Sequence, residues 1–96
     1  MLVVSEFGRR AAESGVGTEA GTDHGAASLV VLAGGGVVGG VSGAAPDLGA
    51  LDAAGNPVYT TDFRSVLREA LGGWLGLDAG AILDGDWPTL DLVRRA

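Results

Sequence analysis

Gly21-Thr22-Asp23-His24-Gly25, followed after two alanines by Ser28-Leu29-Val30-Val31-Leu32-Ala33, is the stretch on which the reading of this chain turns. The second part is a short, uncharged apolar run, the pattern of a strand covered on both faces. The first part holds the single histidine of the chain beside an acid, between two glycines, in the loop feeding that strand. An earlier apolar run, Leu2-Val3-Val4, closes at Glu6 just before Gly8. A second acid is thus placed at the carboxyl end of a second strand, where ligand sites collect in open α/β sheets. The expectation is that Glu6, Asp23 and His24 meet at one rim.

Outward from this stretch, Arg9-Arg10-Ala11-Ala12-Glu13 reads as one helical turn, and Ser14 to Gly21 as a polar, glycine-spaced loop. Gly34-Gly35-Gly36 turns the chain after the strand, Val37-Val38 is a short extended segment, and Ala44 to Pro57 is an irregular excursion. The clearest element is a helix over about 61–75. Thr60 or Thr61 can cap it, and Asp62 suits the positive end of its dipole. Phe63, Val66, Leu67, Ala70, Leu71, Trp74 and Leu75 form one apolar stripe, with Arg64, Arg68 and Glu69 falling outside it, toward solvent. Gly76 supplies the stop. Asp78 to Leu83 reads as a second short helix, Asp84-Gly85-Asp86 as a turn, Trp87-Pro88 as a packing anchor and Leu90–Ala96 as a frayed tail.

Composition bounds what such a chain can be. Its 96 residues allow at most one small domain, and an apolar content of 47% argues against disorder. Yet 18 glycines, much alanine and few aromatics make a poor core for a free-standing unit. The chain is therefore read as a single partial domain, residues 1–96, the C-terminal segment of a larger α/β domain that packs against the rest of its own domain or another chain. A formal net charge of −6, with arginine the only basic residue type, argues against nucleic acid and anionic membranes as partners. With no cysteine there is no thiolate nucleophile and no sulfur-based metal site. Ala26 to Ala45 is broken by glycines and reads as strands and turns, not as a membrane span. No signal-peptide pattern is visible.

Carboxylate and imidazole donors at Glu6, Asp23 and His24 suit Zn²⁺, Mn²⁺ or a similar divalent ion. Asp23 and His24 are neighbours whose side chains diverge in an extended loop; both reach one ion only if the backbone turns sharply, which Gly21 and Gly25 permit. The plainer reading has Asp23 capping loop amides and His24 at the surface. Arg9 and Arg10 either face an anionic substrate, through the fit of a guanidinium to phosphate or sulfate oxygens, or are solvated rim charges. The glycine run at 34–40 has no Gly-Lys-Ser/Thr ending and no clear helix after it, so a tight turn is the reading preferred over a phosphate cradle. Trp74, on the helix stripe, is read as core packing.

Several motifs in order carry a resemblance: Ser5-Glu6-Phe7-Gly8-Arg9, then Gly21-Thr22-Asp23-His24-Gly25, then Val30-Val31-Leu32-Ala33-Gly34-Gly35-Gly36 with Gly39-Gly40, and finally Thr61-Asp62-Phe63-Arg64 opening a helix to Trp74-Leu75-Gly76. Over nearly its whole length the chain resembles the C-terminal part of the domain-of-unknown-function 1501 family. That family in turn resembles the alkaline phosphatase and sulfatase superfamily, with a large α/β fold, often exported by the twin-arginine route, whose better-known members hydrolyse phosphate or sulfate esters at a two-metal site. In those enzymes a strand ends in an acid–His–Gly motif, and a later histidine, in the loop before the next strand, ligates the other metal. By position Glu6 matches the acid and His24 the later histidine. Phe7 stands where a second histidine would be, and a phenyl ring cannot ligate metal. Alternatively Asp23-His24 is itself the acid–His pair; the first alignment respects strand order and is preferred. The resemblance implies metal-dependent ester hydrolysis by a complete domain, with the nucleophile lying upstream. The competing reading is a non-catalytic structural or interaction segment, a truncated or degenerate member of the family.

Overall fold

The computed structural model describes residues 1–94. Within it the chain forms two compact units, one of Met1–Leu32 with Ala45–Thr60, the other of Ala33–Ala44 with the chain from Thr61 onward. The fold is mixed α/β, with two short antiparallel sheets and a small set of helices.

The first unit is built on strands. β1 (Leu2–Val3) pairs antiparallel with β4 (Val31–Leu32), Leu2 opposite Leu32. β2 (Gly8–Ser14) pairs antiparallel with β3 (Gly21–Gly25), and a 3₁₀ turn at Gly17–Glu19 lies between them. Three expectations are corrected here. Arg9–Glu13 is strand, not a helical turn. Asp23 and His24 lie within a strand, not in a sharply turning loop. The apolar run at 28–33 is extended only at Val31–Leu32, and Leu29 and Val31 are exposed, so it is not covered on both faces among the described residues. Alanine and arginine favour helix in isolation, but that preference is worth only tenths of a kilocalorie and the ladder of a paired strand outweighs it.

Close backbone approach explains two glycines of the hairpin. A Cβ on Gly8 would lie 1.5 Å from the Ala27 carbonyl oxygen, and one on Gly25 would lie 2.6 Å from the Arg9 carbonyl carbon. The strands and the segment after them therefore pack backbone on backbone, which only glycine permits.

The second unit is helical. α1 (Phe63–Arg68) runs into a π-helical turn, Glu69–Trp74, and ends at Leu75 before Gly76, whose φ of 68° closes the helix as expected. Asp62, rather than either threonine, is the cap: its carboxylate accepts from the Arg64 backbone N–H at 2.9 Å. α2 (Ala79–Leu83) is capped by Asp78 and ends at Asp84 in the left-handed region, matching its expected span. Val66, on the predicted stripe, is buried, whereas Phe63 and Leu75 at its ends are exposed. Trp74, expected in the core, is half exposed and lies against Gly36, where a Cβ would come within 2.2 Å of its ring.

Glu69 departs furthest from its reading. It is 2% exposed, and its Oε1 accepts from the backbone N–H groups of Leu90 (3.2 Å) and Leu92 (2.8 Å). Val93 then bridges Val37, and the Val38 N–H donates to the Leu92 carbonyl. The tail as far as Arg94 is thus tied down instead of frayed; Arg95 and Ala96 lie outside the described residues. A carboxylate on the nominally polar face becomes buried because the tail covers that face and offers it two amide donors. Trp87 packs as expected, with the Arg64 guanidinium 3.8 Å from its ring centroid. Among the described residues no helix is long and apolar enough to cross a membrane.

Candidate functional site

The site is the β2–β3 hairpin. Arg9 on β2 stands directly opposite His24 on β3. Directly opposed residues share one face of a sheet. Phe7, two residues before Arg9, joins them: its ring stacks on the His24 imidazole, centroids 3.7 Å apart and planes inclined by 17°. The Arg9 guanidinium lies 5.7 Å from the Phe7 ring centroid and donates through Nη1 to the Thr22 carbonyl at 3.0 Å. Phe7, Arg9 and His24 therefore form one exposed aromatic and cationic face. Both ring nitrogens of His24 are without a hydrogen-bond partner among the described residues.

The two acids differ in their placement. Glu6 sits in the bend between β1 and β2 and is exposed. Asp23 is exposed on β3, and strand alternation sets it on the opposite face from His24. Among the described residues no three His, Asp or Glu side chains gather closely enough to hold a metal ion. Carboxylate and imidazole donors are of the types that suit a divalent ion. The register shift between Arg9 and Glu13 sets Arg10, Ala11 and Ala12 on the bulged stretch of β2, so Arg10 does not share the regular pairing of Arg9. Arg10 lies within electrostatic reach of Asp52.

Sequence reading missed the support of this hairpin. Asn56, 8% exposed, accepts the Ala26 N–H on its Oδ1 at 2.9 Å. Its amide NH₂ donates to both carboxylate oxygens of Asp52 (3.3 and 3.2 Å), and its backbone N–H donates to Asp52 Oδ1 at 2.9 Å. The Asp52 carboxyl is held below its ordinary range chiefly by the Asn56 backbone N–H, with the Asn56 amide, the Ala54 N–H and the positive charge of Arg10 adding to that and partial desolvation opposing it. The only signal in the sequence is a carboxylate four residues before an asparagine in a glycine–proline loop, which reads as an ordinary turn.

A small mixed α/β chain that presents an exposed Arg–His–Phe face on a two-stranded hairpin is the class of protein these observations define. The chain belongs to the family described as protein of unknown function (DUF1501), which matches residues 1–78 and so takes in both sheets, Asp52, Asn56 and α1. No curated protein and no solved structure matches the chain significantly.

Proposed function

We propose that this chain is the C-terminal segment of a metal-binding, hydrolase-like protein acting on phosphate or sulfate esters, as its resemblance to the alkaline phosphatase and sulfatase superfamily implies. One observation carries the reading: Arg9 and His24 are direct cross-strand partners on an exposed face. An imidazole with both nitrogens available beside a guanidinium is suited to a divalent cation and its anionic substrate. Bound there, a divalent ion would supply positive charge to the ester oxygens. The chain's own part is to fix the plane of the His24 ring through Phe7 and to hold Arg9 alongside it; ligands beyond His24 and Glu6, and the nucleophile, would come from outside the described residues. Of the two acids, Glu6 is the candidate companion ligand, because Asp23 is turned to the other face.

The test is Mn²⁺ binding by the full-length protein, with His24→Ala and Asp23→Asn beside it, followed by hydrolysis of a nitrophenyl phosphate and a nitrophenyl sulfate. His24→Ala is expected to weaken Mn²⁺ binding by more than about tenfold, since even an outer partner of a metal ligand is worth ~10-fold, and Asp23→Asn to weaken it less. Unchanged affinity in His24→Ala removes His24 as a ligand.

The stacking of Phe7 on His24 favours a second reading, a structural or interaction segment in which the histidine is a packing ring. On that reading His24→Ala lowers stability and leaves metal binding and ester hydrolysis as they were.

A further inference from the structure

Nothing in the first unit offers a buried apolar side chain to order the hairpin: among the described residues of that unit the buried positions are Gly8 and Asn56. A glycine can only allow close approach; Asn56 can hold. We propose that Asn56 is the positioning residue of the Arg9–His24 face, fixing Ala26, and through it His24 two residues earlier, while Asp52 fixes Asn56.

The geometry makes the chain of causes short. Ala26 follows Gly25, whose backbone lies against that of Arg9, and precedes Ala27, whose carbonyl lies against Gly8. The segment leaving β3 is thus pressed on β2 from one side and hydrogen-bonded from the other by an amide thirty residues away in sequence. Asn56 cannot rotate to release it, because its NH₂ and its backbone N–H are both engaged by one carboxylate. Asp52 also accepts from the Ala54 N–H at 2.9 Å and donates its own N–H to the Asn56 carbonyl, so the loop 52–56 is closed on itself. Every polar group of Asn56 has a partner of the opposite kind, which is the condition under which a buried polar residue specifies one arrangement. The role matters to function only if the Arg9–His24 face is used as proposed above.

An exchange of the two residues tests it. Asn56→Asp keeps an acceptor for Ala26 but sets two carboxylates against each other. In the double variant Asp52→Asn with Asn56→Asp, the residue 52 amide donates to the residue 56 carboxylate across the 3.2 Å contact, its oxygen still accepts the backbone N–H groups of Ala54 and residue 56, residue 56 keeps an acceptor for Ala26, and the net charge is that of the natural chain. In the full-length protein, Asn56→Asp is expected to speed exchange of the Ala26 amide by roughly tenfold, the worth of one hydrogen bond. It is also expected to shift the His24 ring protons away from the position that the Phe7 ring current gives them. The double variant is expected to restore both. Failure of Asn56→Asp to fold, with a native double variant, counts the same way. Native ring shifts and amide exchange in Asn56→Asp, or a double variant that stays displaced or unfolded, overturn the proposal. Mn²⁺ titration of the same variants separates the two ideas. If the natural protein binds no Mn²⁺ while the ring shifts still follow the exchange, the metal reading falls and the positioning role stands.

Discussion

Phe7 and His24 lie ring on ring, 3.7 Å between centroids, although Phe7 precedes β2 and the stretch holding His24 reads in the sequence as a loop. The contact sets the plane of the imidazole without using either of its nitrogens. Phe7→Leu should keep most of the apolar area and lose the stack. The stack is worth about 0.5–1.5 kcal/mol beyond area burial, and the exposure of His24 puts the expected loss near the lower figure. Urea unfolding gives the stability change, and altered nuclear Overhauser contacts between the His24 ring protons and Arg9 show that the plane has been released. Unaltered contacts would mean that the ring is oriented by something else.

Two glycines of the same hairpin separate close approach from mere looseness. Gly8→Ala places a methyl 1.5 Å from a backbone oxygen, which cannot move aside without opening the segment after β3. The expected destabilisation is at least about 1–3 kcal/mol, the range for forced overpacking. A Cβ on Gly21 meets nothing within 4 Å, and its φ is not in the left-handed region. Gly21→Ala should therefore be neutral or stabilise by about 0.4–1 kcal/mol through the unfolded chain. Thermal unfolding of both variants checks the contrast; equal effects would contradict the backbone contact at Gly8.

Acid should act through the cap of α1. Asp62 accepts from the side chain and the backbone of Arg64, the side-chain bond being the larger cause, and its pKa falls from 3.8 to about 2. A carboxyl depressed by folding contributes stability that is fully present above its unfolded pKa and is lost as pH falls through the folded value. Asp62→Asn keeps a good cap but loses the ion pair. The gap in urea midpoint between the natural chain and Asp62→Asn should be constant above about pH 5 and shrink as pH falls from there through about 2. Added salt should narrow the gap at neutral pH, because the pair is partly open to solvent. A gap independent of pH would mean that the ion pair contributes nothing.

What the sequence made legible was local. The helix over 63–74 shows in the spacing of Phe63, Val66, Leu67, Ala70, Leu71 and Trp74 and in the glycine that ends it, all within one window. The hairpin was hidden because its evidence is a pairing. Arg9-Arg10-Ala11-Ala12-Glu13 has no alternation to betray a strand, its register is interrupted by a bulge, and its partner is a glycine-flanked polar pentapeptide that by composition is a loop. The site residues were chosen by donor chemistry, which composition does reveal. Their faces depend on strand phase, which it does not, so His24 and Arg9 meet while Asp23 is set apart. Asn56 and Glu69 escaped for one reason. Each is a polar side chain buried by a segment far along the chain, Ala26 for the one and Leu90–Leu92 for the other.

Glu69 offers the sharpest of these contacts to break. Two backbone N–H groups, from Leu90 and Leu92, converge on one of its oxygens, and the side chain is all but removed from water. Hydrogen bonds to a charged acceptor are worth about 1.5–3 kcal/mol each, and stranding a buried donor costs about 1–3 kcal/mol. Glu69→Ala strands both donors and should cost about 2–4 kcal/mol in total, since the tail can detach and let water reach them. Glu69→Gln keeps an acceptor at the same place and should cost about 1 kcal/mol, the difference between a charged and a neutral acceptor. Because the same tail carries the Val93 bridge to Val37, its release should be visible before global unfolding. Limited proteolysis at Leu90 or Leu92 should be fast in Glu69→Ala and slow in Glu69→Gln. Similar protection in both variants would place the anchoring of the tail in its side chains instead of in the Glu69 carboxylate.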